Sequence, residues 1–260
     1  SLVSISNIDE HSLCFIYDNQ SIKDYFFDQT TVICTEKKSR EFCTNQSLII
    51  VDDVQYACAV LSNLFYRELN DIEINSLPSV TVGKKSIIAE TSKIKNGVVI
   101  GDNVTIKDGA QINYNCVIGN NSCIGNNAIV TNSIIGENVN IGPNCSIGQQ
   151  GFGFAINKSK NVKIFHIGRV VLQSNVNLGA NCTIDRGSFS DTVIGENTYF
   201  DNLCHVAHNV TVGNNSIFAA MTGIAGSAII GDNVMTGGQS GIAGHIKIGN
   251  NVRMLLKARI

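Results

Sequence analysis

The chain has 260 residues, 43% of them hydrophobic, with 11 Phe, 6 Tyr and no Trp, so its core must be built from aliphatic side chains. That length fits one large domain or two unequal ones. A net charge of −2 argues against a nucleic-acid binder, since such proteins usually carry a basic surface.

No apolar run reaches the roughly 18 residues a membrane span needs. The first residues, SLVSISNIDEHSL, lack the basic and apolar regions of a secretory signal. The nine cysteines are odd in number and form no CxxC pair. They fit neither a zinc site nor a disulfide framework. They read as small buried hydrophobes of a reducing, cytoplasmic compartment.

In chain order, residues 1–77 come first. Their apolar runs LCFIY, TVICT and SLIIV read as strands, and the segment after Asp53, VQYACAVLSNLFYREL, reads as a helix with an aspartate cap. The expectation is a small α/β domain ending at Pro78, where a rigid turn is convenient.

From Val82 onward an aliphatic residue recurs every sixth position: Val82, Ile88, Ile94, Ile100, Ile106, Ile112, Ile118, Ile124 and Val130. The register slips by one and resumes at Ile135, Ile141 and Ile147, then at Leu172, Leu178 and Ile184. It then runs unbroken from Ile194 to Met254, giving 26 positions, of which only Thr236 is not apolar. A period of six is neither helical nor that of a lone strand. It fits a coil of three short strands, eighteen residues around, with the aliphatic residue on the axis. Runs such as IGDN, IGNN and IGEN supply the glycine and asparagine that tight left-handed corners need. Coils paired as parallel strands rise about 4.8 Å each, so eight to nine coils give roughly 40 Å of prism over 78–260. Cys116, Cys145, Cys182 and Cys204 share one core position of this repeat.

Residues 148–171 and 185–193 leave the rhythm. Loops carried by a rigid solenoid commonly bind ligands.

Three of the five histidines lie late in the chain. Val206, Ile224 and Ile242 are eighteen apart, so His208, Gly226 and the Gly244–His245 pair fall in one column along an edge of the prism. A histidine serves as a general base near neutral pH, and a backbone N–H stabilises an oxyanion. Two other readings of the column are solvated surface histidines and a metal site on His205 and His208. No column of carboxylates or thiolates joins that pair.

The segment TIDRGSFSDTVIGENTYFDNLCHVAHNVTVG resembles the UDP-3-O-(3-hydroxyacyl)glucosamine N-acyltransferases of lipid A and lipopolysaccharide assembly, as do GFGFA, IGRV and GGQSGIAGH. The likeness covers roughly residues 78–250. It implies a mainly β fold, a left-handed parallel β-helix behind a small N-terminal α/β domain that binds the uridine nucleotide. It implies His208 as general base, His245 as second functional histidine and Gly226 as oxyanion donor. Substrate contacts would come from Phe15, Asn19, Phe152, Gly153, Asp201, Asn202 and His205. The implied assembly is a homotrimer, and the implied partners are acyl carrier protein and the UDP-sugar, with no cofactor, no metal and no membrane span. The implied reaction is acyl transfer from the carrier's thioester to the sugar's 2-amino group.

The chain departs from the family at three places. The uracil motif F-L-x-N-P-K-Y is here Phe15-Ile16-Tyr17-Asp18-Asn19-Gln20-Ser21, with Tyr17 or Tyr25 as substitutes for the stacking tyrosine. His166 stands where the family usually has glutamine. The match stops near Val252, so the C-terminus reads as shortened. Residues 241–260 carry Lys247, Arg253, Lys257 and Arg259 and no acid, a patch suited to an acidic carrier protein. Alternative readings are a UDP-N-acetylglucosamine O-acyltransferase, an acyl-CoA-dependent sugar acyltransferase, and an impaired paralogue or scaffold.

Overall fold

The structure is a computed structural model and describes every residue except 4, 6, 7, 9, 10, 24, 26, 28, 29, 43–45 and 157–159. The chain forms two compact units. One comprises Ser1–Glu68, Phe152–Ile167 and Ser188–Ser190, and the other Leu69–Gly151, Gly168–Gly187 and Asp191–Ile260.

In the first unit, β1 (Leu2–Val3), β2 (Leu13–Phe15), β3 (Thr31–Cys34) and β4 (Leu48–Ile50) form a parallel sheet in that order. The short helix α1 (Glu36–Ser39) leads from β3 towards β4. The three apolar runs of the sequence are β2, β3 and β4. Asp53 caps α2 (Val54–Phe65), its carboxylate accepting from Tyr56 N–H at 2.9 Å. The helix stops four residues before the predicted end. Tyr66 turns to extended backbone, and its hydroxyl accepts from Leu2 N–H at 3.1 Å.

The first rhythm-breaking segment largely serves this unit. Phe154–Ile156 and Asn161–Lys163 pair as an antiparallel hairpin. Gln55 Nε2 donates to Phe154 C=O at 2.7 Å, and Asn63 Nδ2 donates to Lys163 C=O at 2.6 Å. Ala155 and Ile164 join Leu2, Phe15, Ile33, Val54, Cys58 and Ala59 in one core. Helix α2 thus shares one core with the sheet and the inserted hairpin.

The second unit opens with α3 (Asp71–Ser76), started by a capping box between Asn70 and Glu73. Leu77 packs where a Cβ on Gly97 would sit, 3.0 Å from its Cδ1, so the helix belongs with the first coil. The division between units therefore falls at Glu68/Leu69, ahead of Pro78. Three parallel sheets of eight, nine and nine strands follow. They hold all 26 hexad positions as short strands, and strands stack coil on coil in register, as in Val117↔Val99 and Ile118↔Ile100.

The axis is largely aliphatic: Ile100, Ile106, Ile112, Ile118 and Ile124 are at most 2% exposed, and their successors through Met254 at most 7%. Thr236, the polar member, shares a 2.9 Å hydrogen bond with Thr222. The corners explain the IGxN runs. Asn103, Asn121 and Asn138 sit at φ 55, 60 and 56, the left-handed region that asparagine tolerates. A Cβ on Gly119 would lie 2.4 Å from Gly136 C=O, so successive corners approach too closely for a side chain. Inside the corners, Cys145, Cys182 and Cys204 donate to the carbonyls of Gly179, Asp201 and Ala219 at 3.0, 3.2 and 3.4 Å. Ser240 does the same to Gly237 C=O at 2.6 Å. The eight described cysteines are free, and Cys43 lies outside the described residues. Among the described residues, no helix is long and apolar enough to cross a membrane.

Candidate active site

Three consecutive corners, 207–210, 225–228 and 243–246, build one edge of the prism. Each follows a strand of the same sheet: His205–Val206, Gly223–Ile224 and Gly241–Ile242. Ser227 N–H donates to His208 C=O at 2.9 Å, and His245 N–H donates to Gly226 C=O at 3.1 Å. The column of His208, Gly226, Gly244 and His245 is therefore continuous.

The His208 ring lies over Gly226. A Cβ built on that glycine would fall 2.8 Å from His208 Nε2 and 2.9 Å from Cε1. Contacts that short do not occur, so glycine is required for the imidazole to sit here. His208 Nδ1 and Asn209 Oδ1 are 3.0 Å apart. The amide oxygen can only accept, which puts the ring proton on Nδ1 and the lone pair on Nε2. His208 is half-buried and His245 is exposed at φ 60. Gly226 N–H has no hydrogen-bond partner among the described residues. A base nitrogen, a neighbouring amide donor and a second imidazole thus share one open edge, the donor set that acyl transfer needs.

His205 lies on the sheet leading into this edge. Its Nδ1 is 2.7 Å from Thr183 Oγ1, and its Nε2 is 3.8 Å from the carboxylate of Asp185. Asp185 is buried and accepts from Gln149 Nε2 at 2.7 Å. The sequence reading missed Thr183, Asp185 and Gln149. The signal was Ile184, already placed in the hexad ladder, whose neighbours had only to be carried across the 185–193 interruption.

Asp201 and Asn202 occupy the opposite corner of that sheet. Asp201 accepts from Asn202 N–H at 2.7 Å, and Asn202 Oδ1 accepts from Ala180 N–H at 2.7 Å, so both side chains hold the turn. Among the described residues, no three of His, Cys, Asp and Glu gather as metal ligands.

The remaining predicted positions lie in the first unit. Phe15 is 4% exposed, with its ring stacked on Phe189 at 5.5 Å. Its ring is thus part of the core of this unit. Asn19 does line an open cleft of about 440 Å³ with Tyr17, Asp18, Thr35, Asp52, Asp53, Val54 and Gln55. Tyr25 is exposed and does not line it. Burial pushes the Tyr17 phenol up, so it stays protonated. Phe152 is exposed and meets Phe154 edge-on at 4.9 Å. Gly153 makes room for the buried His166, whose Nε2 would lie 2.7 Å from an added Cβ.

Comparison with known proteins agrees with this architecture. The bacterial transferase hexapeptide family (six repeats) matches residues 191–226, and the GMPPB C-terminal domain matches residues 76–164. A UDP-3-O-acylglucosamine N-acyltransferase of Caulobacter vibrioides is 48% identical over 62 residues, 24% of this chain and 18% of that protein. One from Methylorubrum extorquens is 44% identical over 62 residues, again 24% of this chain and 18% of that protein. The aligned stretch is thus less than a fifth of those relatives. Among solved structures, the UDP-N-acetylglucosamine acyltransferase from Campylobacter jejuni has a TM-score of 0.59 at 26% identity, covering 66% of each chain. The Francisella novicida enzyme has a TM-score of 0.54 at 22% identity, covering 67% of this chain and 60% of its own, and supports the fold alone. The second unit is accordingly the left-handed parallel β-helix of these acyltransferases. The chain is thus built of hexapeptide repeats and, over 62 residues, is similar to UDP-3-O-acylglucosamine N-acyltransferases.

Proposed function

We propose that the chain transfers a 3-hydroxyacyl group from acyl carrier protein to the 2-amino group of a UDP-3-O-acylglucosamine, in the cytoplasm, as a homotrimer. The single observation that carries this reading is the His208 imidazole lying over Gly226 with its lone pair at Nε2.

The amine attacks the thioester carbon while His208 Nε2 takes its proton. The Gly226 N–H donates to the oxyanion of the tetrahedral intermediate. Collapse breaks the C–S bond, and the proton held by His208 passes to the departing thiolate. The exposed His245, next along the edge, orients the pantetheine arm. No cofactor or metal enters this sequence. Lys247, Arg253, Lys257 and Arg259 are all exposed and suit an acidic carrier protein. The cleft at Tyr17 and Asn19 is the place for the nucleoside. Its three aspartates favour ribose hydroxyls over phosphate there.

The likeness to the Campylobacter jejuni enzyme supports a second reading, transfer to a hydroxyl acceptor. One assay decides between them. Purified protein receives 3-hydroxyacyl carrier protein with the amine or the hydroxyl acceptor. Product is expected on the amine, and His208→Ala is expected to lower kcat/KM by about 10²–10⁴-fold. Turnover that survives His208→Ala would overturn the mechanism, and product on the hydroxyl alone would favour the second reading.

A further inference from the structure

Corner amides of this prism are capped by side chains from the following coil. The position concerned is the second residue after an axial aliphatic. On the edge between the two nine-stranded sheets, Asp102 N–H donates to Asn120 Oδ1 at 2.8 Å and Glu196 N–H to Asn214 Oδ1 at 2.8 Å. Asn214 N–H donates in turn to Asp232 at 2.6 Å, and Asp232 N–H to Asn250 at 2.9 Å. In each pair the acceptor lies eighteen residues ahead. On the next edge, Ala180 N–H donates to Asn202 Oδ1 at 2.7 Å.

The edge carrying His208 breaks this rule. One coil beyond Gly226, the same position is held by Gly244, which has no side-chain oxygen to offer. Gly226 N–H accordingly has no hydrogen-bond partner among the described residues. A Cβ built on Gly244 would stand 3.8 Å from Gly226 N, so an oxygen carried one carbon further out would reach the amide. Gly244 lies outside the left-handed region, so its backbone does not demand glycine. The added Cβ would also stand 2.9 Å from Gly226 C=O, and crowding has to be told apart from capping.

We propose that Gly244 is a positioning residue for acyl transfer and acts by what it lacks: with no side chain there, the Gly226 N–H stays uncapped and donates to the oxyanion. This rests on the reaction reading given above. Asparagine or aspartate, which the neighbouring edge uses, would occupy the amide before substrate arrived. An oxyanion would then have to displace an acceptor already in place. His208 belongs to the coil before Gly226 and Gly244 to the coil after it, so the base keeps its seat when Gly244 changes.

The test uses the full chain and three variants. Hydrogen exchange at the Gly226 amide is read by mass spectrometry after fragmentation, with steady-state kinetics beside it. Gly244→Asn should slow that exchange about two- to tenfold, the worth of one hydrogen bond. It should lower kcat about 10²–10³-fold, the loss of one oxyanion donor, with little change in either KM, because the oxyanion exists only on the way through the transition state. Gly244→Ser should act in the same direction, since Ser174 Oγ accepts from Glu137 N–H at 3.3 Å at the corresponding position. Gly244→Ala adds the Cβ without an oxygen. It should leave the exchange unchanged and keep kcat well above that of the other two. Unchanged exchange in both Gly244→Asn and Gly244→Ser would overturn the proposal. So would a loss in Gly244→Ala as deep as in Gly244→Asn, which would make crowding the cause. If Gly244→Asn fails to fold, the comparison of Ser with Ala carries the test. A protected amide with undiminished turnover would remove Gly226 as the oxyanion donor, and the proposal with it. Wild-type protein that transfers to neither acceptor would remove the reaction reading, while the exchange result would still decide whether Gly244 leaves the amide open.

Discussion

At the scale of single residues, the site depends on an absent side chain. Gly226 is not in the left-handed region, so its backbone alone would accept alanine. The obstacle is the His208 ring, 2.8 Å from where the methyl would stand. Gly226→Ala should therefore leave the fold intact and displace the imidazole. The expected result is a loss of activity approaching that of His208→Ala, with a melting temperature within a few degrees of wild type. Steady-state kinetics alongside a thermal melt checks both halves. This contact was half-legible in the sequence. Eighteen-residue spacing placed His208, Gly226 and His245 on one edge, but spacing carries no ring orientation. Asp185 and Thr183 escaped notice because the 185–193 interruption hides their pairing with the His205 coil. The contact of Phe15 with Phe189 was not legible, because the two lie far apart along the chain and no local pattern pairs them.

At the scale of one coil, the repeat states its own construction. Aliphatic residues at every sixth position became the axis, and the asparagines became left-handed corners. Both follow from the sterics of short side chains, which is why the fold was legible. The first unit was less so. Its helix is covered by a hairpin nearly a hundred residues away, and no local pattern announces such a partnership. The corner logic can be tested at Asn138, whose φ is 56. Asn138→Gly should be close to neutral. Asn138→Val should destabilise by about 1–2 kcal/mol, the penalty for a branched residue in the left-handed region, as read by chemical denaturation.

At the scale of the molecule, buried thiols set an alkaline limit. Burial raises Cys14, Cys58 and Cys116 from an ordinary 9.0 to about 12. Each folded-state pKa lies above its unfolded value, so the stability it contributes is whole below pH 9. That stability is lost as pH rises from 9 towards 12, because only the unfolded chain releases its protons in that window. Melting temperature should fall steadily across the window, and Cys116→Ala should flatten part of the slope. One nine-stranded sheet also turns Val99, Val117 and Ile229 outward, each more than 40% exposed. If the proposed trimer covers them, Val117→Lys should shift the mass in light scattering from trimer towards monomer.

The coil has a final consequence. Direction around the prism is counted in residues, as an angle is counted on a dial, and His208 and Gly226 share a bearing because one full revolution of chain separates them. Losing six residues between them, such as 211–216, would leave every aliphatic residue on the axis while swinging the glycine onto another edge. Such a protein would fold, pack and pair its strands with nothing visibly missing, and its imidazole would face an unrelated corner. In this architecture an insertion or deletion is dangerous according to its remainder after division by eighteen, more than according to its size.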